Sequence, residues 1–182
     1  MDNDRNKHND AMAAMPIKLG NSFVHGVLFA ALTAGASPLL AHEPAAKAAT
    51  VASAVSPSAR GAAVTVDAFH AALRRGDASA AAALLADDVL IFESGEVERS
   101  KAEYAAHHLG ADAEFSRAVP SSPSRRAGEA SGAMAWIASE GRTTGTFHGR
   151  PIDQMTTETM VLRRAAHGWK IVQIHWSSTA AR

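Results

Sequence analysis

Beyond Pro120 the chain is patterned for little except β-strands. Residues 124–130, 132–147, 152–164 and 168–178 read as four strands separated by Gly-containing turns or loops. The last, GWKIVQIHWSS, constrains the fold most. Trp169, Ile171, Gln173 and His175 alternate with Lys170, Val172, Ile174 and Trp176, so both faces carry bulk and the strand is expected to be central.

Helical patterning comes before this run. Val66, Phe69 and Leu73 share one face of a helix starting near Val64, with Gly76 as its terminator. Asp77 is placed to cap a helix over Ala78–Ala86, where Leu84 and Leu85 point inward. Val89–Glu93 reads as a short strand, followed by a Ser94-Gly95-Glu96 turn. Ser100 and Glu103 form a capping box that opens a helix through Leu109, with Gly110 ending it. Helices first and antiparallel strands after predict an α+β fold with helices on one sheet face.

The N-terminal third carries other information. Residues 17–41 run from Lys18 through the apolar Val27–Leu32 to Pro38 and small residues, the order of a secretory signal peptide. His25, Gly26 and Pro38 leave a run shorter than the ~20 apolar residues of a membrane span. Cleavage after Ala36 or Ala41 is expected, and Met12 and Met15 are alternative starts to Met1. Residues 42–62, rich in Ala, Ser and Pro, read as a flexible tether, leaving a domain over 63–182. The expected location is periplasmic or secreted, with no membrane attachment after cleavage.

Charge and cysteine content then narrow the chemistry. Lys plus Arg number 18 and Asp plus Glu number 18. Residues 1–41 hold three of each sign, so the remaining chain is still neutral and nucleic acid is not an expected partner. With no Cys there is no disulfide framework, thiolate nucleophile or Cys-ligated metal. Reactive groups must come from His, carboxylates, hydroxyls or a bound cofactor.

Three segments carry a resemblance to a known superfamily. They are GDASAAAALLADDVLIFES after the first helix, the helix with Glu103-Tyr104, and the closing Gly168-Trp-Lys-Ile-Val-x-x-His-x-Ser177. Together they resemble the nuclear transport factor 2-like superfamily, in its bacterial SnoaL-like and ketosteroid-isomerase-like branch, from about Val64 to Ser178. The resemblance implies a cone-shaped, curved antiparallel sheet wrapped around N-terminal helices, a cystatin-like roll with an apolar pocket at its open end. It also implies a small, apolar or partly polar ligand, and a homodimer paired through the outer sheet face.

Within that frame His175 is the expected acid/base, placed by alternation on the face of Trp169 and Gln173. Asp112 and Glu140 are the candidate carboxylates, Glu140 because it shares a strand face with Trp136. Tyr104, His107, His108, Trp136, Glu158, Gln173 and Trp169 are candidate ligand contacts. Glu158 has Arg142 or Arg163 as alternative cross-strand partners, and Arg125-Arg126 reads as a solvated strand end.

No HxH or HExxH spacing marks a metal centre, so no metal or cofactor is assigned. A site from His107 or His108, Asp112, His175 and one Glu is the alternative. The ketosteroid isomerase arrangement of an Asp base beside a Tyr–Asp pair is not expected, because the single Tyr, Tyr104, lies on a helix. The leading expectation is an exported pocket protein catalysing proton transfer, isomerisation or hydration. Its rival is a non-catalytic ligand-binding or dimerising association module, with Val172, Ile174 and Trp176 at the interface.

Overall fold

The frame of the domain is a seven-stranded sheet, seen in a computed structural model that describes residues 52–182. The export segment expected over 1–41 and the start of the tether lie outside the described residues. In chain order the elements are β1 (Ala52–Val55), α1 (Arg60–Arg74), α2 (Ala78–Leu84), β2 (Leu85–Glu93) and β3 (Glu96–Glu98). Then come α3 (Lys101–His107), α4 (Leu109–Ala118), β4 (Ser121–Ser131), β5 (Met134–Phe147), β6 (Arg150–Ala165) and β7 (Gly168–Ala180). The strand order is β1-β4-β5-β6-β7-β2-β3. Its pairings are antiparallel except β1 with β4 and β2 with β7.

The helices cover one face of this sheet. On α1, Ala62, Val66, Phe69, Ala72 and Leu73 are buried. They share one core with Ala135, Ile137, Met160, Leu162, Ile171 and Ile174 of the sheet. Burying Phe69 completely contributes roughly 1.5–3 kcal/mol of hydrophobic free energy. The helix starts at Arg60, before the expected Val64, and Val64 is exposed.

Gly76 takes φ +72, which turns the chain out of α1, and the Asp77 carboxylate then accepts the Ala80 N–H at 2.9 Å. That cap starts α2, which ends at Leu84 because Leu85 is already extended and pairs with Ile171.

Four further expectations change. The tether gives way at Ala52, where β1 pairs alongside Arg125–Gly128 of β4. Glu96–Glu98, read in part as a turn, forms the short strand β3 against Ile91–Glu93. Gly110 does not end the helical segment: it keeps a negative φ, and α4 runs on to Ala118 after a break at His108 (φ −112, ψ −30). Leu109 and Ala113, one turn apart and both buried, hold that continuation against the core.

The fourth change is in β7. Leu162 pairs with Ile171 but Val161 pairs with Gln173, so Val172 is an extra residue, a β-bulge. The alternation flips there. Trp169 and Ile171 before the bulge, and Ile174 and Trp176 after it, all face the helices; Gln173 and His175 face the convex side. The expected shared face of Trp169, Ile171, Gln173 and His175 is therefore split. Ile174 and Trp176 are excluded from an outer dimer surface. Among the described residues no helix is long and apolar enough to cross a membrane.

Candidate functional site

Cross-strand register assembles a polar row on the concave face. Arg126 pairs with Ser139, Ser139 with Glu158, Glu158 with Trp176, and Trp176 with Glu93. Directly opposed residues point to the same side of a sheet, so the five side chains share one face across β4, β5, β6, β7 and β2.

Glu158 is the centre of this row, only 9% exposed. Its Oε2 lies 2.7 Å from His70 Nε2 on α1 and accepts the Trp176 indole N–H at 2.8 Å. Burial alone would raise the Glu158 pKa, but the hydrogen bond and charge of His70, the indole N–H and the Arg126 charge outweigh it and hold the carboxyl below its usual range. Its Oε1 has no hydrogen-bond partner. Phe69 stacks on Trp176, with ring centroids 6.4 Å apart, and so fixes the indole. Arg126 donates to Asp67 at 2.5 Å and to Ser139 at 3.1 Å.

The other end of the row opens into a cavity of about 170 Å³ between the β2–β3 hairpin and α3. Its walls include Ile91, Glu93, Glu98, Tyr104 and His108. Tyr104 is fully buried, and its hydroxyl donates to Asp112 Oδ2 at 2.6 Å, so α3 and α4 are tied together behind the cavity. Glu98, 6% exposed, pairs through Oε1 with His108 Nδ1; its Oε2 is 3.5 Å from His107 Nδ1 with no hydrogen bond.

Electrostatically this corner is crowded with carboxyls. Burial raises the Asp112 pKa, with Glu98 adding to the effect, against the Tyr104 hydrogen bond and the His108 charge. Glu93 keeps one side open to solvent; the walls around the rest of it, and then the Asp112 charge, push its carboxyl upward too. Burial first and Asp112 second push the Tyr104 phenol far above its ordinary value, so it remains a proton donor. Two carboxyls whose pKa values are raised, beside a fixed phenol, form an acid–base assembly.

The expected site residues divide between the two faces. Tyr104 and His108 line this cavity, Asp112 lies behind it on the Tyr104 hydroxyl, His107 lies beside Glu98, and Glu158 lies along the same concave row. His175 is exposed on the convex side, edge-on to Phe92 at 6.3 Å, and lines with Gln173 a more open hollow of about 530 Å³. Trp136 and Glu140 share a face as expected, but the convex one, and both are exposed. Trp169 is buried beside Gly61, with the Arg164 guanidinium 4.4 Å above its ring. Arg142 pairs with Asp153 and Arg163 with Asp88, which leaves His70 as the partner of Glu158. Arg126 is no solvated strand end.

His70, Glu98 and Arg126 were missed as site residues. Asp67 and His70 stand three apart on the flank of the apolar stripe of α1, a signal open to a helical-wheel reading. Glu98 has no such signal, since only the β2–β3 pairing turns it inward opposite Ile91.

Comparison with known proteins identifies the fold family. The SnoaL-like domain family matches residues 63–181. No curated protein matches the chain. A proposed ketosteroid isomerase from Shewanella frigidimarina is similar, at 37% identity over 68% of this chain and 99% of its own, with TM-score 0.63. A proposed dehydratase of the nuclear transport factor 2-like family from Streptomyces avermitilis is 18% identical over 68% of this chain and 97% of its own, with TM-score 0.58. A nuclear transport factor 2-like protein with a cystatin-like fold, from Novosphingobium aromaticivorans, is 14% identical over 65% and 80%, with TM-score 0.56. These last two are similar in fold alone. The family match runs from within α1 to the end of β7 and takes in the polar concave row, and by it the chain belongs to the SnoaL-like family of the nuclear transport factor 2-like superfamily.

Proposed function

We propose that the protein is a pocket enzyme that moves a proton at a carbon beside a carbonyl group, in the isomerase or lyase class. The observation that carries this reading is the Tyr104–Asp112 hydrogen bond behind a cavity lined by Glu93, Glu98 and His108. The 37% identity to a proposed ketosteroid isomerase supports the same chemistry. Glu93, at the cavity edge, takes a proton from the α-carbon and returns it to the γ-carbon of the resulting enolate. The Tyr104 hydroxyl, on the cavity wall, turns its proton from Asp112 to the enolate oxygen, and the double bond shifts into conjugation. The base role passes from His175 to Glu93, because the bulge turns His175 to the convex side.

Cavity size narrows the substrate. A cavity of about 150 Å³ takes benzene, so about 170 Å³ suits a single six-membered ring rather than a fused skeleton. The test is conversion of cyclohex-3-enone to cyclohex-2-enone, followed by the absorbance of the conjugated product. Glu93→Gln and Asp112→Asn are expected to lower kcat about 10²–10⁴-fold. Turnover no faster than in buffer would overturn the reading. The export signal read over 17–41 would place this activity in the periplasm or outside the cell.

A second reading, a dimerising module, rests on the convex face. Trp136 (41% exposed) and Leu90 (40%) lie in one cross-strand row with Val161 and Gln173. Half-exposed aromatic and aliphatic bulk of this kind marks a partner surface. Trp136→Ser should then convert a dimer to a monomer by light scattering.

A further inference from the structure

On the side of Glu98 away from His108, three ligand-type groups converge that the proton-transfer reading does not use. Among the described residues, ligand atoms of Glu98, Glu103 and His107 all lie within 4.8 Å of one another. Glu103 and His107 stand four apart on α3, so one helix face presents both. Glu98 reaches them from β3, and the oxygen it offers, Oε2, is buried without a hydrogen-bond partner. Leaving a buried carboxylate oxygen unsatisfied is costly, and a cation there would satisfy it.

The spacing of His107 and Glu98 suits a shared metal ion. His107 Nδ1 and Glu98 Oε2 are 3.5 Å apart and not hydrogen-bonded. Two bonds of 2.0–2.2 Å meeting at a tetrahedral ion put their ligand atoms roughly 3.3–3.6 Å apart. The supporting contacts are also in place. His108 holds Glu98 through its other oxygen, and the Arg99 backbone N–H donates to Glu103 Oε2 at 2.7 Å, leaving the second oxygen of Glu103 free of that bond. Such outer contacts orient metal ligands. His107 is half exposed, which gives an ion a way in.

We propose that Glu98, Glu103 and His107 form a binding site for a divalent transition metal of the zinc type. One imidazole and two carboxylates suit zinc, cobalt or nickel better than calcium or magnesium, which favour all-oxygen ligand sets. Three protein ligands leave a fourth position for water. This site stands on its own geometry and holds whether or not the cavity transfers protons.

The test is titration of the untagged full chain with cobalt(II), read by the visible absorption of tetrahedral cobalt, alongside thermal unfolding with zinc or with chelator. One ion per chain and a higher Tm with zinc are expected. His107→Ala and Glu103→Gln should each weaken binding about tenfold or more. Glu103→Gln keeps an acceptor for the Arg99 N–H, so the helix cap survives. His175→Ala, on the convex face, should bind as the wild type does. No cobalt band, or a band that His107→Ala leaves unchanged, would overturn the proposal.

Discussion

Tyr104 donates its phenolic proton to Asp112 across the break between α3 and α4, with 2.6 Å between the oxygens. The bond exists because Gly110 stays helical and carries Asp112 one turn beyond His108. Tyr104→Phe should cost about 1–3 kcal/mol, the range for stranding a part-buried acceptor. Urea unfolding should show a lower midpoint with an unchanged m-value. An unchanged midpoint would mean that the two helices are held together by Leu109 and Ala113 alone.

Asp112 also sets a pH dependence. Its pKa is raised from an ordinary value near 3.8, mainly by burial, so the folded protein holds this proton more tightly than the unfolded chain does. The group favours folding below its unfolded pKa, and that advantage is lost as pH rises through the folded value. Asp112→Asn should therefore gain stability at neutral pH and none near pH 3, while an amide oxygen still accepts the Tyr104 proton. Tm measured across that range checks the sign.

Glu158 has the opposite sign. Despite its burial, His70, Trp176 and Arg126 depress its pKa, so its contribution is present above the ordinary carboxylate range and is lost as pH falls through its lowered folded value. Trp176→Phe keeps the ring stacked on Phe69 but removes the indole N–H from Glu158. It should cost about 1.5–3 kcal/mol at pH 7, as for a hydrogen bond to a charged group. The loss should shrink toward pH 3. A loss that does not vary with pH would assign it to packing.

Gly128 pairs with Ile137 where β4 lies tightly against β5. A Cβ there would lie 2.5 Å from the Ile137 Cδ1 and 2.9 Å from the Trp136 carbonyl oxygen. The side chain can move, but the backbone oxygen is fixed in the ladder. Gly128→Ala should cost about 1–3 kcal/mol, measured by chemical denaturation.

The helix-then-strand order, the Asp77 and Ser100 caps and the four long strands were legible because each rests on local chemistry. What escaped reading depended on pairing. The extra residue at Val172 leaves no local mark, yet it reverses which of Gln173, Ile174, His175 and Trp176 face the helices. His175 was expected on the face of Trp169 for that reason and lies on the opposite one. Tyr104 and the two adjacent histidines were visible on one expected helix, with Asp112 just beyond its expected end at Gly110. Glu98 was not, because it joins them only through β3. Ser139 and Arg126 likewise meet Glu158 only by register.

The central claim, that the Glu93–Asp112–Tyr104 corner transfers protons at a carbon acid, needs no knowledge of the natural substrate. Its most direct measurement is α-proton exchange of cyclohexanone in D2O, followed by proton NMR with the wild type and with Glu93→Gln. The account predicts exchange that is faster than in buffer and saturates with ketone, reduced about 100-fold or more in the variant. Exchange at the buffer rate, or an equal rate in both proteins, would contradict it.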